Sequence, residues 1–430
     1  MFYRETNFQK TSIGRIPKDW EVVRLEDASL LITDGSHFSP EHQKNGYPLA
    51  TVANMRENYI DIDSCYRISR EDFERLANSR DKPEINDVLF SKDGTVGLCI
   101  VFNQKVDLIV LSSIAIIKPN MKKADPYFLK YMLQSRSVLN RIAGSKTGTA
   151  IRRIVLRDLS TVRLSLPKRI EEQKKIVGIL RVVDSAILKV DEVIWKTERL
   201  KKGLMQQLLT RGIGHKEYKD TPIGKTPKTW QTVKLGEVLV DVKYGTSVKA
   251  NTNGQGLPVL GIPNILGGKI DDTNLRYVDL PESERRSLTL EDGDILLVRT
   301  NANPDYIGRC ALFGNMNGAW LYASYLIRIR PDRKKALPVY LVKFLQSEKA
   351  RKQFLSIART SAGNYNINSQ GVRRVTISLP SLPEQQKIAE IISVVNKKLE
   401  FEMKEKVKLE RIKRGLMDLL LTGKVRVKVD

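Results

Sequence analysis

The sequence of 430 residues contains most of its pattern twice, and this duplication constrains the fold more than any other feature. The segment "TSIGRIPKDWEVVRLED" at Thr11 returns as "TPIGKTPKTWQTVKLGE" at Thr221, and "ERLKKGLMQQLLT" at Glu198 returns as "ERIKRGLMDLLLT" at Glu410. Other segments between these return in the same order at a nearly constant offset. A repeat of roughly 210 residues is much longer than a solenoid repeat. It predicts two halves of one architecture.

The two halves resemble each other at their ends and differ in their middle. "ITDGSHFSPEHQKNG" at Ile32 and "VKYGTSVKANTNGQG" at Val242 share a glycine and little else. The segments "SKTGTAIRRI" and "SAGNYNINSQG" also differ almost completely. Loops on a rigid frame are where binding specificity usually lies. The pattern therefore predicts one scaffold with two different sets of loops.

Each half reads as a mixed α+β domain followed by a long helix. Short strands interrupted by Gly, Pro, Asn and Asp are predicted, for example over 294–300 and 309–313. The apolar segment 108–117 is predicted to be one buried strand, too short to cross a bilayer. A single short helix is predicted over 126–142, with a counterpart over 338–357. The predicted segments are a first domain 1–167, a first helix 168–213, a second domain 214–380 and a second helix 381–425.

Both predicted long helices carry an apolar seam with steps of four and three residues, which is the heptad pattern of coiled coils. A helix of about 40 residues is about 60 Å long, so an isolated seam would be exposed to water. We expect the two helices to pair antiparallel as a coiled coil, related by a pseudo-two-fold axis. The alternative is two amphipathic helices, each packed on its own domain. The seams consist of Ile176, Leu180, Val183, Ile187, Val190, Ile194, Leu204 and Leu208 in the first helix, and of Ile388, Ile392, Val395, Leu399, Leu409, Leu416 and Leu420 in the second.

Gly203 and Gly415 occupy matching positions inside these helices, where a glycine costs about 1 kcal/mol relative to alanine. Each glycine is expected to mark either a kink or a close crossing of helices, and the sequence does not choose between the two.

The composition favours an anionic partner. Seventy-three Lys and Arg against forty-nine Asp and Glu give a net charge of +24, which favours nucleic acid first and an acidic membrane second. A merely basic soluble protein is the alternative. The three cysteines are far apart, and "MFYRETNFQK" at the start has no apolar segment for a signal peptide. These features predict a cytoplasmic protein without a zinc site and without a role at a membrane.

No catalytic motif is found in the sequence. "NPDY" at Asn303 lacks the second proline of an N-P-P-Y methyltransferase motif, and "GKT" at Gly224 lacks the upstream glycine of a phosphate-binding loop. We therefore expect no catalytic residue, no metal ligand and no cofactor bound by this chain.

The ordered set of "IPKDW"/"TPKTW", "SLP" followed by "EEQKKI" or "PEQQKI", and "KGLMQQLLT"/"RGLMDLLLT" resembles the specificity subunit of type I restriction-modification systems. The resemblance covers essentially the whole chain, although the first half has "KRIEEQ" where the second has the more usual "SLPEQQ". It implies two target recognition domains, each reading one half of a split site in double-stranded DNA, with helices that set the gap.

The resemblance also implies partners. Two methyltransferase subunits would dock on the chain, and restriction subunits would join them in the full complex. The specificity subunit itself would not be catalytic, and S-adenosylmethionine, ATP and Mg would belong to its partners. The rival hypotheses are a free-standing sequence-specific DNA-binding protein, a nuclease with an unrecognised active site, and a structural bridging protein.

Polar residues of the divergent loops are the candidates for DNA contacts, because Asn and Gln pair with adenine, Arg pairs with guanine, and Lys contacts phosphates. For each of them a loop-capping role is the alternative. The strongest local prediction is the Asn-rich segment "GNYNINSQ". The candidates are Ser36, His37, Lys92, Thr95, Lys146, Thr149, Arg152 and Arg153 in the first half, and Lys243, Tyr244, Thr246, Arg299, Asn301, Asn303, Tyr306, Asn364, Tyr365, Asn366, Asn368, Gln370 and Arg373 in the second.

Overall fold

The computed structural model describes residues 2–77, 81–144, 153–314, 316–361 and 363–429. It contains two compact units: unit 1 combines residues 1–191 with 404–430, and unit 2 comprises residues 192–403. Each unit thus takes part of both long helices, unlike the predicted division into two domains and two separate helices. Within the described residues, no helix combines the length and hydrophobicity that crossing a membrane would need.

The strands are short, as the frequent Gly, Pro, Asn and Asp residues favour. Before the first long helix they are β1 (Phe2–Arg4), β2 (Phe8–Thr11), β3 (Gly14–Pro17), β4 (Trp20–Arg24), β5 (Ser29–Asp34), β6 (Tyr47–Ala50), β7 (Tyr66–Ile68), β8 (Val88–Ser91), β9 (Cys99–Val101), β10 (Ile109–Val110), β11 (Ile114–Pro119) and β12 (Arg163–Pro167). After it they are β13 (Tyr218–Lys219), β14 (Thr226–Pro227), β15 (Gln231–Lys234), β16 (Leu239–Tyr244), β17 (Leu257–Leu260), β18 (Arg276–Val278), β19 (Ile295–Val298), β20 (Thr300–Asn301), β21 (Cys310–Leu312), β22 (Leu321–Tyr322), β23 (Leu326–Pro331), β24 (Arg359–Ser361), β25 (Asn364–Asn366), β26 (Thr376–Leu379) and β27 (Val425–Val427).

The α-helices are short except for two. They are α1 (Arg70–Ala77), α2 (Pro126–Gln134), α3 (Arg136–Ala143), α4 (Leu156–Ser160), α5 (Ile170–Arg211), α6 (Glu282–Leu288), α7 (Pro338–Leu345), α8 (Glu348–Ile357), α9 (Ser369–Arg374) and α10 (Leu382–Leu420). Short 3-10 helices cover Glu26–Ala28, Val52–Asn54, Ile62–Ser64, Leu235–Val238, Ile262–Ile265 and Pro304–Tyr306.

The two units are built on matching sheets. In unit 1 a four-stranded sheet has the order β5-β11-β8-β9, and a three-stranded sheet has the order β10-β6-β7. In unit 2 the corresponding four-stranded sheet has the order β16-β23-β19-β21. The three-stranded sheet, read in the same direction as that of unit 1, has the order β22-β17-β18. The β12–β4 pair of unit 1 likewise corresponds to β15–β26 of unit 2. The duplicated sequence therefore folds twice into the same mixed α+β scaffold.

Unit 2 has one further sheet of three strands in the order β20-β25-β24. We call it the Asn-rich sheet, because β25 is Asn364–Asn366 and β20 ends at Asn301. In the described part of unit 1 the matching place holds an isolated bridge between Asp93 and Arg153. The difference falls in the segments where the two halves of the sequence diverge.

The predicted single helices over 126–142 and 338–357 are wrong, because each is two helices. α2 and α3 are separated at Ser135, and α7 and α8 are separated near Ser347. The side chains of Ser135 and Ser347 accept hydrogen bonds from the amides of Val138 and Ala350, so each serine caps the second helix.

The prediction of one strand over 108–117 is also wrong. The segment contains β10 and the start of β11, which belong to different sheets. The chain turns between them, with the amide of Ile114 donating to the carbonyl of Leu111. A run of apolar residues marks burial, but it does not show that the chain changes sheets.

The shared glycine of the divergent segments, Gly35 or Gly245, follows the first long strand of each unit. An added Cβ would lie 2.0 Å from the Val110 carbonyl oxygen at Gly35, and 2.1 Å from the Tyr322 carbonyl oxygen at Gly245. Only glycine allows these backbone approaches. This requirement explains why the glycine is kept when its neighbours change.

The apolar seams of α5 and α10 are buried or half-buried along both helices. Their ends join the domain cores: Ile176 and Leu420 belong to the main core of unit 1, whereas Leu208 and Ile388 belong to that of unit 2.

Inside unit 1 the two helices run antiparallel to each other. Lys413 Nζ lies 2.7 Å from Asp184 Oδ1, and Lys406 Nζ lies 2.7 Å from Asp191 Oδ1. Residue numbers that increase along α5 are therefore paired with residue numbers that decrease along α10.

Gly203 and Gly415 do not mark close crossings, since an added Cβ at either position would meet nothing within 4 Å among the described residues. Both residues are exposed to solvent.

The chain ends meet in unit 1, where β1 pairs antiparallel with β27. Arg426 of β27 is buried and donates hydrogen bonds to three carboxylates. It binds Glu172 and Asp19 through two hydrogen bonds each, and Glu5 through one. A guanidinium has five N–H donors, so every one of them is used.

Candidate nucleic-acid interface

The candidates of unit 1 gather where β5 and β8 end. Lys92 follows β8 directly, and its ammonium lies 2.6 Å from the carboxylate of Asp34 at the end of β5. Burial would raise the pKa of Asp34, but the hydrogen bond and the charge of Lys92 outweigh this effect, so its pKa is lowered. Lys92 is only 4% exposed. Its positive charge is therefore neutralised inside the protein.

Around this ion pair lie the other described candidates of unit 1. His37 is exposed, with Nε2 3.3 Å from Asp34 Oδ2. Ser36 is buried, and its hydroxyl donates to the carbonyl of Phe38. Thr95 is exposed in the loop after Lys92. These residues share one edge of the four-stranded sheet.

Arg153 lies next to the same loop. It forms an isolated antiparallel β-bridge with Asp93, and its Nε lies 3.9 Å from Asp93 Oδ2. The candidates Lys146, Thr149 and Arg152 lie outside the described residues. DNA contacts remain predictions for all unit 1 candidates. The burial of Ser36 and Lys92 favours the structural alternative for these two.

Unit 2 uses the same strand ends for a different contact. Arg299 follows β19 as Lys92 follows β8, and its guanidinium lies over the ring of Tyr244 at 4.6 Å. The equivalence extends to the backbone: the amide of Ile154 donates to Lys92 O, and the amide of Ile367 donates to Arg299 O. In both units a cation that follows one strand thus contacts the end of a strand two places away in the sheet, but its partner changes from a carboxylate to an aromatic ring.

The Asn-rich sheet collects further candidates of unit 2 beside Arg299. Asn301 pairs with Tyr365, and Thr300 pairs with Asn366. Tyr244 accepts a hydrogen bond from the amide of Ser369, so the end of β16 lies next to α9. The structure therefore brings together residues that lie far apart in the sequence.

Three asparagines of this region have capping roles. The Oδ1 atoms of Asn301, Asn303 and Asn368 accept hydrogen bonds from backbone amides two or three residues ahead. Bidentate reading of adenine needs both the oxygen and the nitrogen of an amide. These three side chains are thus left with their nitrogens to donate.

Other amide side chains nearby are free of such roles. Among the described residues, no hydrogen bond is found for the side chains of Asn364, Asn366 or Gln370, and Asn364 and Gln370 are exposed. These three are the strongest structural candidates for base contacts in unit 2.

The remaining candidates of unit 2 differ in exposure. Lys243 and Arg373 are exposed, as a phosphate contact requires. Tyr306 is half-buried with the guanidinium of Arg309 over its ring at 4.7 Å. Thr246 is buried, and its Oγ1 accepts from the amide of Val248. This position favours a turn-forming role for Thr246.

Two further residues at this place are not among the candidates predicted from the sequence. Tyr325 is 59% exposed, and its carbonyl accepts from the amide of Arg299. Arg359 is exposed and lies opposite Asn366 in the Asn-rich sheet. An aromatic residue at the start of a basic strand, "SYLIRIR", is a sequence signal that would have found Tyr325.

Two cysteine thiols of the described structure are buried in the domain cores. Burial raises the pKa of both Cys99 and Cys310 to about 12, which keeps these thiols protonated and unreactive. Among the described residues, no group of three or more His, Cys, Asp or Glu side chains is arranged to hold a metal ion.

Comparison with known proteins finds related sequences over most of the chain. Residues 17–192 and 227–411 match the family described as type I restriction modification DNA specificity domain. The MjaVIII type I restriction enzyme specificity subunit of Methanocaldococcus jannaschii is 29% identical, over 99% of this chain and 98% of that protein. The EcoKI specificity subunit of Escherichia coli is 22% identical, over 88% of this chain and 82% of that protein.

A solved structure has a similar fold. The crystal structure of the type I restriction-modification S subunit from M. genitalium gives a TM-score of 0.57 at 16% identity, with 96% of this chain and 97% of that chain covered. The family match includes most of both halves of the sequence. The chain therefore belongs to the family of type I restriction-modification DNA specificity subunits.

Proposed function

We propose that each unit is a target recognition domain that reads one half of a bipartite site in double-stranded DNA. The observation that carries this proposal is the use of one scaffold position for two chemistries. The described part of unit 1 has an isolated bridge between Asp93 and Arg153, whereas unit 2 has the Asn-rich sheet at the matching place, with the exposed side chain of Asn364. Side chains that differ on equal frames present different donors and acceptors to base edges, which is how sequence is read.

We propose further that α5 and α10 form an antiparallel coiled coil with a pseudo-two-fold axis, and that its length sets the unread gap. The ion pairs Lys413–Asp184 and Lys406–Asp191 inside unit 1 support this arrangement. The burial of the seam residues in both helices also supports it. A continuous α-helix is stiff enough to keep a fixed distance.

Exposed positions that are identical in the two halves support docking of two copies of one partner. Arg199 and Arg411 match, as do Gly203 and Gly415, and all four are exposed, so internal packing does not require the match. We propose that methyltransferase subunits bind there, two per chain, and that restriction subunits join them in the full complex.

In this proposal the chain itself is not catalytic, and the partners bind S-adenosylmethionine, ATP and Mg. The unreactive state of the buried thiols Cys99 and Cys310 supports it. We place the protein in the cytoplasm, where free thiols such as these stay reduced.

An exchange of loops tests the proposal. Residues 35–159 would be replaced by the matching region of another family member, and the chain would be purified with its methyltransferase partner. Selection of bound DNA from a random pool should return a two-part motif in which one half changes, while the other half and the gap stay the same.

Two outcomes would contradict the proposal. A change in both halves would mean that the units do not read independently. DNA cleavage by the chain without partners would favour the nuclease alternative. The chain with both native units, selected in parallel, is the control.

A further inference from the structure

At one equivalent position of the scaffold, unit 1 has carboxylates that unit 2 lacks. The same glutamine–carbonyl hydrogen bond marks this position in both units. Gln134 donates from Nε2 to the Cys99 carbonyl at 3.1 Å in unit 1, and Gln346 donates to the Cys310 carbonyl at 3.1 Å in unit 2. The residues around these two contacts can therefore be compared one by one.

In unit 1 the positive charge at this position is compensated by carboxylates of the same unit. Lys413 lies 2.7 Å from Asp184 and 3.0 Å from Glu57. Tyr131 donates its hydroxyl hydrogen to Asp184 Oδ2 at 2.6 Å. Lys413 is thus paired with two carboxylates of unit 1, and Tyr131 is hydrogen-bonded to one of them.

In unit 2 the carboxylates are gone, but lysines remain: Val342 replaces Lys130, which donates to Asn58 in unit 1, and Lys343 supplies a lysine one position later. Lys201 takes the place of Lys413, and Lys343 takes the place of Tyr131. Asn396 replaces Asp184, and Gly267 replaces Glu57. These four residues line a cavity of about 630 Å³, which we call the lysine cavity.

Among the described residues, the lysine cavity has one lining carboxylate, that of Glu400, for the three lining lysines Lys201, Lys269 and Lys343. Of its lining residues, Glu400 is already paired with Lys269. Within the described residues, neither Lys201 nor Lys343 has an ion pair or a side-chain hydrogen bond. Lys201, Lys269 and Lys343 all line this one cavity. Burial lowers the pKa of Lys343, and the nearby charges of Lys201 and Lys269 lower it further, whereas the charge of Glu400 raises it.

We infer that the lysine cavity is a binding site for a phosphate group, carried by a small molecule or by a polynucleotide. An oxyanion there would supply the negative charge that Asp184 and Glu57 supply in unit 1. Two lysines without carboxylate partners suit a divalent oxyanion better than a monovalent one. The volume falls within the range of small-molecule sites, so a phosphate ester fits as well as free phosphate. The inference does not depend on how the units read DNA.

The substitution Asn396→Asp tests this inference by restoring the carboxylate of unit 1. Binding of inorganic phosphate to the full chain would be measured by calorimetry, and its effect on the thermal midpoint would be compared with sulfate and chloride at equal ionic strength. We expect Asn396→Asp to weaken phosphate binding at least tenfold. Asn274→Asp adds the same charge at an exposed position of unit 2 and should change it less than twofold.

A second variant protects the test against misfolding of the first. Lys201→Gln removes one cation of the cavity, whereas the control Lys202→Gln removes its exposed neighbour, which is paired with Glu348. Lys201→Gln should weaken phosphate binding at least tenfold, and the control should leave it nearly unchanged. Circular dichroism would verify that all four variants are folded.

Three ligands distinguish the sources of phosphate. Inorganic phosphate, adenosine monophosphate and a random-sequence DNA duplex would each be titrated into the native chain, into Asn396→Asp and into Lys201→Gln. Loss of affinity for the duplex alone would assign the cavity to a polynucleotide, and loss for the smaller ligands would assign it to a free phosphate compound. If Asn396→Asp and Lys201→Gln, both folded, bind all three ligands like the native chain, the inference is wrong.

Discussion

At the scale of single residues, the close approach of Gly245 to the backbone of Tyr322 predicts that alanine at this position destabilises the protein. In Gly245→Ala the new methyl group would overlap the Tyr322 carbonyl oxygen, at 2.1 Å, so strand ends must move apart. Overpacking of this kind costs about 1–3 kcal/mol, and rigid backbone on the other side favours the upper end. We expect urea denaturation, followed by circular dichroism, to show a lower free energy of unfolding.

Gly203→Ala is the matched control for this prediction. The new methyl group would meet nothing within 4 Å in the described structure, and the position is inside a helix. The substitution should stabilise the helix by about 1 kcal/mol. Equal effects of the two substitutions would contradict the explanation by close contact at Gly245.

Single residues also show where reasoning from sequence stops. Lys92 was selected as a phosphate contact because it lies in a loop of turn-forming residues, but its ammonium binds Asp34, 58 positions away. Such long-range partners are not visible in one sequence. The capping role of Asn368, in contrast, is local: its side chain accepts from Gly371, three residues on. This helix-start pattern could have been recognised from the sequence.

At the scale of elements, the pairing of β1 with β27 should be sensitive to acid. The hydrogen bonds of Arg426 lower the pKa of Asp19. Burial would raise the pKa of Glu5, but backbone amides and Arg426 lower it overall. Groups whose pKa is lower in the folded state add stability above their unfolded values, near 4, and lose it as pH falls. We expect the free energy of unfolding to decrease below about pH 4.

The variant Arg426→Met tests the origin of this acid sensitivity. Removing the guanidinium leaves the buried Glu172 and the mostly buried Glu5 without a cation, which costs about 3–5 kcal/mol at neutral pH. The difference from the native chain should shrink toward pH 3, because Asp19 and Glu5 become protonated there. Arg286→Met, at an exposed ion pair, is the control and should change little. A difference independent of pH would count against the assignment.

The contact between α5 and α10 in unit 1 gives a second prediction for elements. Asp184 and Lys413 are both largely buried, so Asp184→Asn leaves the lysine charge with one fewer partner and should cost about 3–5 kcal/mol. Lys413→Met should cost a similar amount. Their effects should not add in the double variant, because each substitution removes the same ion pair. Additive effects in urea denaturation would mean that the two helices do not stabilise each other there.

The elements themselves were predictable to different degrees. The heptad seams identified both long helices, because periodicity over many turns is a strong signal. The breaks at Ser135 and Ser347 were missed, although a capping serine is a local signal, because the apolar pattern continues through them. The Asn-rich sheet was not predicted. Its strands are only two or three residues long, which leaves no periodicity to detect.

At the scale of the whole molecule, duplication predicted the common scaffold but not the differences in charge. Equal sheet orders in the two units follow from equal patterns of apolar residues and turns. The exchange of Asp184 for Asn396 and of Tyr131 for Lys343 is visible in the aligned halves. The consequence of this exchange is not visible in the sequence, because only the fold places Asn396 and Lys343 with Lys201 around one cavity.

The whole molecule, with its net charge of +24, should bind DNA with an affinity that falls steeply with salt. A protein with six to ten phosphate contacts loses about 10³–10⁵ in affinity between 50 and 200 mM salt. Substitutions of two residues of unit 2 should separate the contribution of phosphate contacts from that of base contacts. Lys243→Gln removes an exposed cation and should lower the slope of log K against log salt by about 1, with the base preference unchanged.

Asn366→Ala should have the opposite profile, since it removes an uncharged side chain of the Asn-rich sheet that has no hydrogen bond within the described residues. The slope should stay the same, while discrimination at one base pair should fall by about 1–3 kcal/mol in one half-site. Fluorescence anisotropy with duplexes of single-base variants at several salt concentrations measures both quantities. If Asn366→Ala changed the slope, or if Lys243→Gln changed the preferred base, the assignment of phosphate and base contacts in unit 2 would have to be reversed.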